Sequence, residues 1–180
     1  AAGQGKVVEG TASADRQCAP CDTGVTFSAS NDGAACAATS APCAAGKYVS
    51  LMATASSDRT CSTCAAGEFK SAAANTACTL WRTCAIGEGM SAPGTKVADR
   101  QCAACVVGAT FSDVDSGDAC AAVSAPCAAG NALATASTAS ADRTCAECAG
   151  GQFKVAAGNG ACAVWRTCAI GEGQSVAGSA

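Results

Sequence analysis

The chain of 180 residues contains no histidine. That removes the commonest general base, any Ser-His-Asp or Cys-His arrangement and every imidazole metal ligand. Large apolar side chains are scarce too: Leu, Ile, Phe, Trp, Tyr and Met together number 14, against 47 Ala. Burial free energy scales with apolar area, and Ala supplies little of it. Each ordered residue still costs about 1–2 kcal/mol of backbone entropy, so an ordinary core cannot hold this chain and cross-links must. No apolar run approaches the ~18 residues of a membrane-spanning helix. With a net charge of −3 and its charges scattered, the sequence has no basic stripe for nucleic acid and no like-charge tail. It has no Asn-x-Ser/Thr sequon and no leader pattern.

Cysteine stands in for what is missing. Its 16 residues are about 9% of the chain, the composition of a disulfide scaffold in an oxidising compartment. They fall at positions 18, 21, 36, 43; 61, 64, 78, 84; 102, 105, 120, 127; and 145, 148, 162, 168. Each quartet opens with C-x-x-C, and 17 residues separate one quartet from the next. The other gaps alternate between 14 and 6 and 13 and 5 intervening residues, so a unit of about 42 residues is doubled into an 84-residue superrepeat. The nonapeptide WRTCAIGEG marks that period, starting at Trp81 and again at Trp165.

Spacing alone does not choose among pairings of so many cysteines. A second pattern divides them into two strictly alternating classes. Cys21, Cys43, Cys64, Cys84, Cys105, Cys127, Cys148 and Cys168 are each followed three residues later by Gly, and the other eight are not. Gly at that place suits a tight turn needing φ > 0, so the first class reads as loop openers and the second as closers. Joining each opener to the next closer gives Cys21–Cys36, Cys43–Cys61, Cys64–Cys78, Cys84–Cys102, Cys105–Cys120, Cys127–Cys145 and Cys148–Cys162. Each closes a loop of roughly 15–19 residues, worth about 3 kcal/mol by chain entropy. Pairing inside a quartet, such as Cys18–Cys36 with Cys21–Cys43, remains an alternative.

Opener–closer pairing leaves Cys18 and Cys168, which the 84-residue register assigns to partners outside the sequence, as in a window on a longer periodic polypeptide. The expected organisation is 1–18 as the end of a preceding module, then cysteine-rich repeats 19–61, 62–102, 103–145 and 146–180, the last incomplete. Four closers are preceded by Asp-Arg (Asp15-Arg16, Asp58-Arg59, Asp99-Arg100, Asp142-Arg143), where an Asp accepting from the N–H two residues on would fix a turn. An acidic ligand-binding row is the competing reading. Phe27, Phe69, Phe111, Phe153 and Tyr48 each follow a loop Gly, and one aromatic per loop reads as that module's core. Trp81-Arg82 and Trp165-Arg166, once per superrepeat, read as a packing joint in which Arg stacks on Trp, with a partner-binding hot spot as the alternative.

The fold class that follows is small and disulfide-rich, mostly β with strands of two to four residues, little or no helix, and an elongated tandem-repeat rod. The C-x-x-C pairs match neither zinc knuckles, which lie 15–20 residues apart, nor a single redox C-x-x-C on a βαβ scaffold. No cofactor, no metal and no catalytic residue is expected, and the chain reads as a non-enzyme.

Two stretches carry a resemblance. "CAAGEFKSAAANTAC" is a C-x-x-G-x-F/Y loop closed by cysteine, and "CAIGEGMSAPGTKVADRQC" is a second loop ending in Asp-x-x-Cys. Together they resemble the A-type and B-type modules of tumour necrosis factor receptor cysteine-rich domains, and the likeness covers nearly the whole chain. Similar modules occur in extracellular repeat and fibre proteins of algae and protists. Receptor domains commonly carry six cysteines with an interlocked pair in the B module, whereas each B loop here has one bridge. The resemblance implies the fold and the pairing. It does not carry over ligand contacts, because no such residues map onto this sequence.

A periodic joint gives a periodic surface, which copies of the chain can share. The expected function is therefore structural: an extracellular filament or cell-surface or flagellar hair that assembles from copies of itself. The Ser/Thr-rich loops offer places for O-linked glycans, with simple solvation of the loops as the equal alternative. The alternative is a receptor-like or adhesin ectodomain stalk that binds a protein ligand.

Overall fold

A computed structural model describes residues 1–173. Among them there is no helix, and sixteen strands of two, four or five residues form eight separate two-stranded antiparallel sheets. In chain order, β1 (Gln4–Val8) pairs with β2 (Gln17–Pro20), β3 (Thr26–Phe27) with β4 (Ala37–Ala38), and β5 (Lys47–Leu51) with β6 (Thr60–Thr63). Next come β7 (Glu68–Phe69) with β8 (Thr79–Leu80), β9 (Glu88–Ala92) with β10 (Gln101–Ala104), and β11 (Thr110–Phe111) with β12 (Ala121–Ala122). Last are β13 (Asn131–Thr135) with β14 (Thr144–Glu147), and β15 (Gln152–Phe153) with β16 (Ala163–Val164). Two kinds of hairpin thus alternate: a five-plus-four pair with a bulge (the B loop) and a two-plus-two pair (the A loop).

Seven disulfides close these loops: Cys21–Cys36, Cys43–Cys61, Cys64–Cys78, Cys84–Cys102, Cys105–Cys120, Cys127–Cys145 and Cys148–Cys162, with Cα–Cα distances of 5.5–5.8 Å. Every Gly that follows an opener has φ between 76° and 89°. At Gly67 the reason is visible: Glu68 N–H donates back to Ala65 O at 3.2 Å, so Gly67 is the third residue of a β-turn. A positive φ there is what a type II turn requires. That turn starts the hairpin, and the bridge fixes its other end.

The core consists of half-cystines. Cys43, Cys84 and Cys127 are each 1% exposed and are the largest fully buried side chains, and the other bridged openers are buried as well. The bridged closers are half-buried or exposed. The aromatic side chains differ from the expectation: Phe27, Tyr48, Phe69, Phe111 and Phe153 are only half-buried. A loop of about 15 residues has no second layer to cover a phenyl ring, whereas the sulfur at its neck is enclosed from all sides.

The described chain divides into two compact units. One comprises Ala1–Trp81 with Pro93–Arg100, and the other comprises Arg82–Ala92 with the described residues from Gln101 on. In the first unit, the tip of the third B loop folds back onto the A loop that precedes it. The contacts responsible make up the site described next.

Candidate functional site: the module joint

The backbone of one residue ties three successive loops together. Gly46 N–H, in the turn of a B loop, donates to Lys70 O at 2.8 Å, and Lys70 N–H donates to Lys96 O at 3.0 Å. Lys70 follows the aromatic of its A loop, and Lys96 lies at the tip of the next B loop. The pattern recurs as Gly3–Ser28–Ala55 (2.9 and 2.9 Å) and Gly87–Ser112–Ala139 (2.8 and 2.9 Å). Its first half recurs as Gly130 N–H to Lys154 O at 2.9 Å. The residue after each Phe alternates Ser28, Lys70, Ser112, Lys154. That alternation was open to sequence reading and was missed.

The two residue types do different work. Lys70 is only 7% exposed, yet among the described residues no carboxylate pairs with it. Its ammonium donates instead to Cys43 O at 3.1 Å and to Ala74 O. Lys154 repeats this with Asn131 O at 2.7 Å, Cys127 O at 3.5 Å and Gly158 O. A buried charge is tolerated only when its donors are satisfied, and backbone carbonyls meet that need here. Lys96 at the loop tip reaches Cys64 O at 2.6 Å in the same manner. The Ser28 and Ser112 hydroxyls instead donate within their own loops, to Ser30 O at 3.1 Å and Val114 O at 3.0 Å.

The Asp-Arg pairs lie on the other side of the joint. Each Asp accepts from the N–H one residue on rather than two, at 2.7–2.8 Å for Arg16, Arg59, Arg100 and Arg143. Asp58 also reaches back 18 residues, accepting Ser40 N–H at 3.0 Å and the Ser40 hydroxyl. Asp142 does the same with Ser124, whose N–H lies at 3.0 Å. In each case the serine hydroxyl foremost holds the carboxyl below the usual carboxylate range, helped by the backbone N–H groups. These aspartates clamp the link between an A loop and the B loop that follows.

Trp81 packs where the A loop meets the tip of the next B loop. Its Nε1–H donates to Thr95 O at 3.0 Å, and its ring lies so close over Gly94 that a Cβ there would sit 2.5 Å from ring carbons. Arg100 stacks on the ring at 5.7 Å from the centroid. The Arg on Trp is thus the one from the Asp-Arg pair, brought across the loop, rather than the adjacent Arg82. Trp165 is 41% exposed, with Arg166 exposed beside it. The loop that would meet Trp165 in register lies outside the described residues, as does any closer for Cys168.

Cys18 and Cys168 are free and exposed. Among the described residues, no group of three or more His, Cys, Asp or Glu is placed to hold a metal ion. No helix is long and apolar enough to cross a membrane, again among the described residues.

Comparison with known proteins fits this geometry. Residues 64–102, one A loop and the B loop joined to it through Trp81, match the family model described as the TNFR/NGFR cysteine-rich region. Among solved structures, the fold is similar to a chain of the human RANKL/OPG complex, 22% identical, covering 81% of this chain and 87% of that one, with a TM-score of 0.40. It is similar also to a chain in the crystal structure of the mouse RANKL–OPG complex, at 16% identity, 77% and 98% coverage and a TM-score of 0.34. No curated protein matches the sequence. Residues 64–102 are thus similar to a TNFR/NGFR cysteine-rich region, and the disulfides that close the loops are those of an extracellular or cell-surface polypeptide.

Proposed function

We propose that the chain is part of a receptor-like ectodomain, a non-enzymatic array of cysteine-rich modules that binds a protein ligand outside the cell. The observation that carries this reading is the TNFR/NGFR match over residues 64–102, because modules of that type are binding modules. The units are the repeats 19–61, 62–102, 103–145 and 146–180, with 1–18 closing a further one. Side chains free to meet a ligand include Leu51 and Met52, 66% and 69% exposed at the entry to a B-loop tip. O-linked glycans on exposed serines such as Ser56 and Ser140 belong to the same reading.

The test is titration of the immobilised, oxidised chain with a panel of purified extracellular proteins. Saturable binding that disappears after reduction and alkylation, and weakens in a Leu51→Ala, Met52→Ala variant, is the expected result. Binding that survives reduction contradicts the reading.

A second reading, a fibre protein assembled from copies of the chain, is favoured by the periodic surface. Leu80 and Ile86 in one superrepeat and Val164 and Ile170 in the next are all exposed. A chain that binds nothing in the panel but forms filaments under the electron microscope supports this reading over the first.

A further inference from the structure

We infer that Asn159 is a site of self-modification: its side-chain amide closes onto the backbone nitrogen of Gly160, and the ring then opens to an isoaspartyl or aspartyl residue. Ring closure needs a side-chain amide free to rotate, a backbone N–H not already bonded, and little bulk on the residue that supplies the nitrogen. The chain has four asparagines, at 31, 75, 131 and 159, and of these Asn159 alone precedes Gly. Asn159 and Gly160 are both exposed, in a bend between β15 and β16. Among the described residues neither the Asn159 side chain nor Gly160 N–H has a hydrogen-bond partner. Even a Cβ on Gly160 would meet nothing within 4 Å, so the backbone has room to turn into the attacking geometry.

The other candidates are held back. Asn75 is the same residue one superrepeat earlier, and Thr76 stands where Gly160 does. Asn75 Oδ1 accepts Cys43 N–H at 3.4 Å, and the β-branched Thr76 crowds its own nitrogen. Asn131 lies in β13 with its Nδ2 3.4 Å from Ala129 O, and Ala132 follows it. Asn31 is followed by Asp32. Asp32 does precede a glycine, but its carboxylate accepts Ala34 N–H at 2.9 Å and the Ser30 hydroxyl at 2.8 Å. Those bonds, Ala34 N–H foremost, hold the carboxyl below the usual carboxylate range, and an ionised carboxylate resists nucleophilic attack.

The reaction needs no partner but water. Gly160 N bonds to Asn159 Cγ, the Cγ–Nδ2 bond breaks, and ammonia leaves with the proton that Gly160 N carried. Water then adds to one carbonyl of the five-membered imide. Opening at Cγ gives aspartyl, and opening at the main-chain carbonyl gives isoaspartyl. Either product carries a negative charge that Asn159 lacks. The isoaspartyl link also adds one methylene to the main chain between Gly158 and Cys162. Gly158 N–H bonds Cys127 O at 2.8 Å, and its carbonyl accepts the Lys154 ammonium. The product therefore loosens the shorter-loop joint of the second superrepeat and spares that of the first. The inference does not rest on ligand binding, and its failure leaves the receptor reading untouched.

The test is incubation of the oxidised 180-residue chain in mildly alkaline buffer, followed by reduction, trypsin and mass spectrometry. Cleavage after Lys70 and Arg82, and after Lys154 and Arg166, gives matched peptides for Asn75 and Asn159. Conversion at Asn159 should run about tenfold or more faster than at Asn75, a barrier lower by about 1.4 kcal/mol or more. Both isoaspartyl and aspartyl products should form, and the rate should fall in mildly acidic buffer, because the attacking nitrogen must shed its proton. Gly160→Thr should bring the rate down to that at Asn75. Asn159→Gln, which would have to close a larger ring, should abolish it. Amide exchange at Gly158 should quicken as the parent converts and stay constant in Asn159→Gln. Equal rates at Asn75 and Asn159, a Gly160→Thr chain that converts as fast as the parent, or a product that is aspartyl alone overturns the inference.

Discussion

The two A loops within one superrepeat solve the same packing problem in opposite ways. In the longer kind, closed by Cys21–Cys36 and Cys105–Cys120, the loop end lies directly on the preceding B strand. Lys6 N–H bonds Ala34 O at 2.9 Å and Met90 N–H bonds Asp118 O at 2.7 Å, so the loop adds to the hairpin edge. The approach is so close that a Cβ on Gly5 or Gly89 would lie 2.5 or 2.7 Å from the sulfur of Cys36 or Cys120, and closer still to its backbone nitrogen. In the shorter kind, closed by Cys64–Cys78 and Cys148–Cys162, the same strand position carries Tyr48 or Ala132. A lysine from the A loop reaches across and ties the two loops through carbonyls. One residue of loop length therefore exchanges the bond to the strand edge for a side-chain cation, while Ala74 N–H to Cys43 O at 2.9 Å and Gly158 N–H to Cys127 O at 2.8 Å remain as backbone ties in the shorter kind. The 84-residue period exists because the two solutions alternate.

If the longer loop depends on bare backbone, Gly89→Ala should cost about 3 kcal/mol, the upper part of the range for overpacking. The matched change in the other kind, Ala132→Gly, should cost less than about 1 kcal/mol, as glycine in a strand does. Urea midpoints of the oxidised variants measure both. Equal costs would erase the distinction between the two loops.

Removing the cation addresses the shorter loop. Lys70→Met keeps most of the apolar stem but loses the ammonium bonds, and should cost about 2 kcal/mol in the same assay. Ser112→Ala, at the matching place in the longer loop, should cost about 1 kcal/mol or less. A smaller effect is expected at the far side of the joint. Trp81→Ala should lower stability by about 1–2 kcal/mol, less than for a fully buried ring, and should speed amide exchange at 93–100. Thr39→Ala, which removes the 2.9 Å bond from Arg59, should barely register.

The smallest effect is one of pH. Asp58 and Asp142 have lowered carboxyl pKa values in the folded chain, so the stability they contribute is complete above the ordinary carboxylate range, about 4. It is lost as pH falls through the lowered folded values. Ser40→Ala removes the largest cause at Asp58. The fall in melting temperature between pH 7 and acid should therefore be smaller in that variant than in the parent. An unchanged fall would mean that the Ser40 bond has no part in acid sensitivity.

Much of the fold is legible in the sequence because the dominant constraints are local. The type II turn needs its glycine at the third place, just before the strand at Gly67, so C-x-x-G marks each loop start and alternates with the closers. Strand length follows from short loops, and the five-residue strands exceed the expected four only through a bulge, as between Val49 and Leu51. The joint was harder to read. Lys70 after a two-residue strand looks like a solvent-facing charge, and its acceptor Cys43 O lies 27 residues earlier. Asp58 looked like the start of a local turn, but its second partner, Ser40, is 18 residues upstream. A half-buried Phe69 could not be foreseen without knowing that the sulfurs take the interior.

The account rests on each opener being joined to the next closer, and disulfide mapping of the unreduced chain by proteolysis and mass spectrometry tests this most directly. It predicts cross-linked peptides joining Cys64 to Cys78 and Cys84 to Cys102. Peptides joining Cys61 to Cys78 and Cys64 to Cys84 would contradict it, because each would cross between loops that the joint requires to be closed separately.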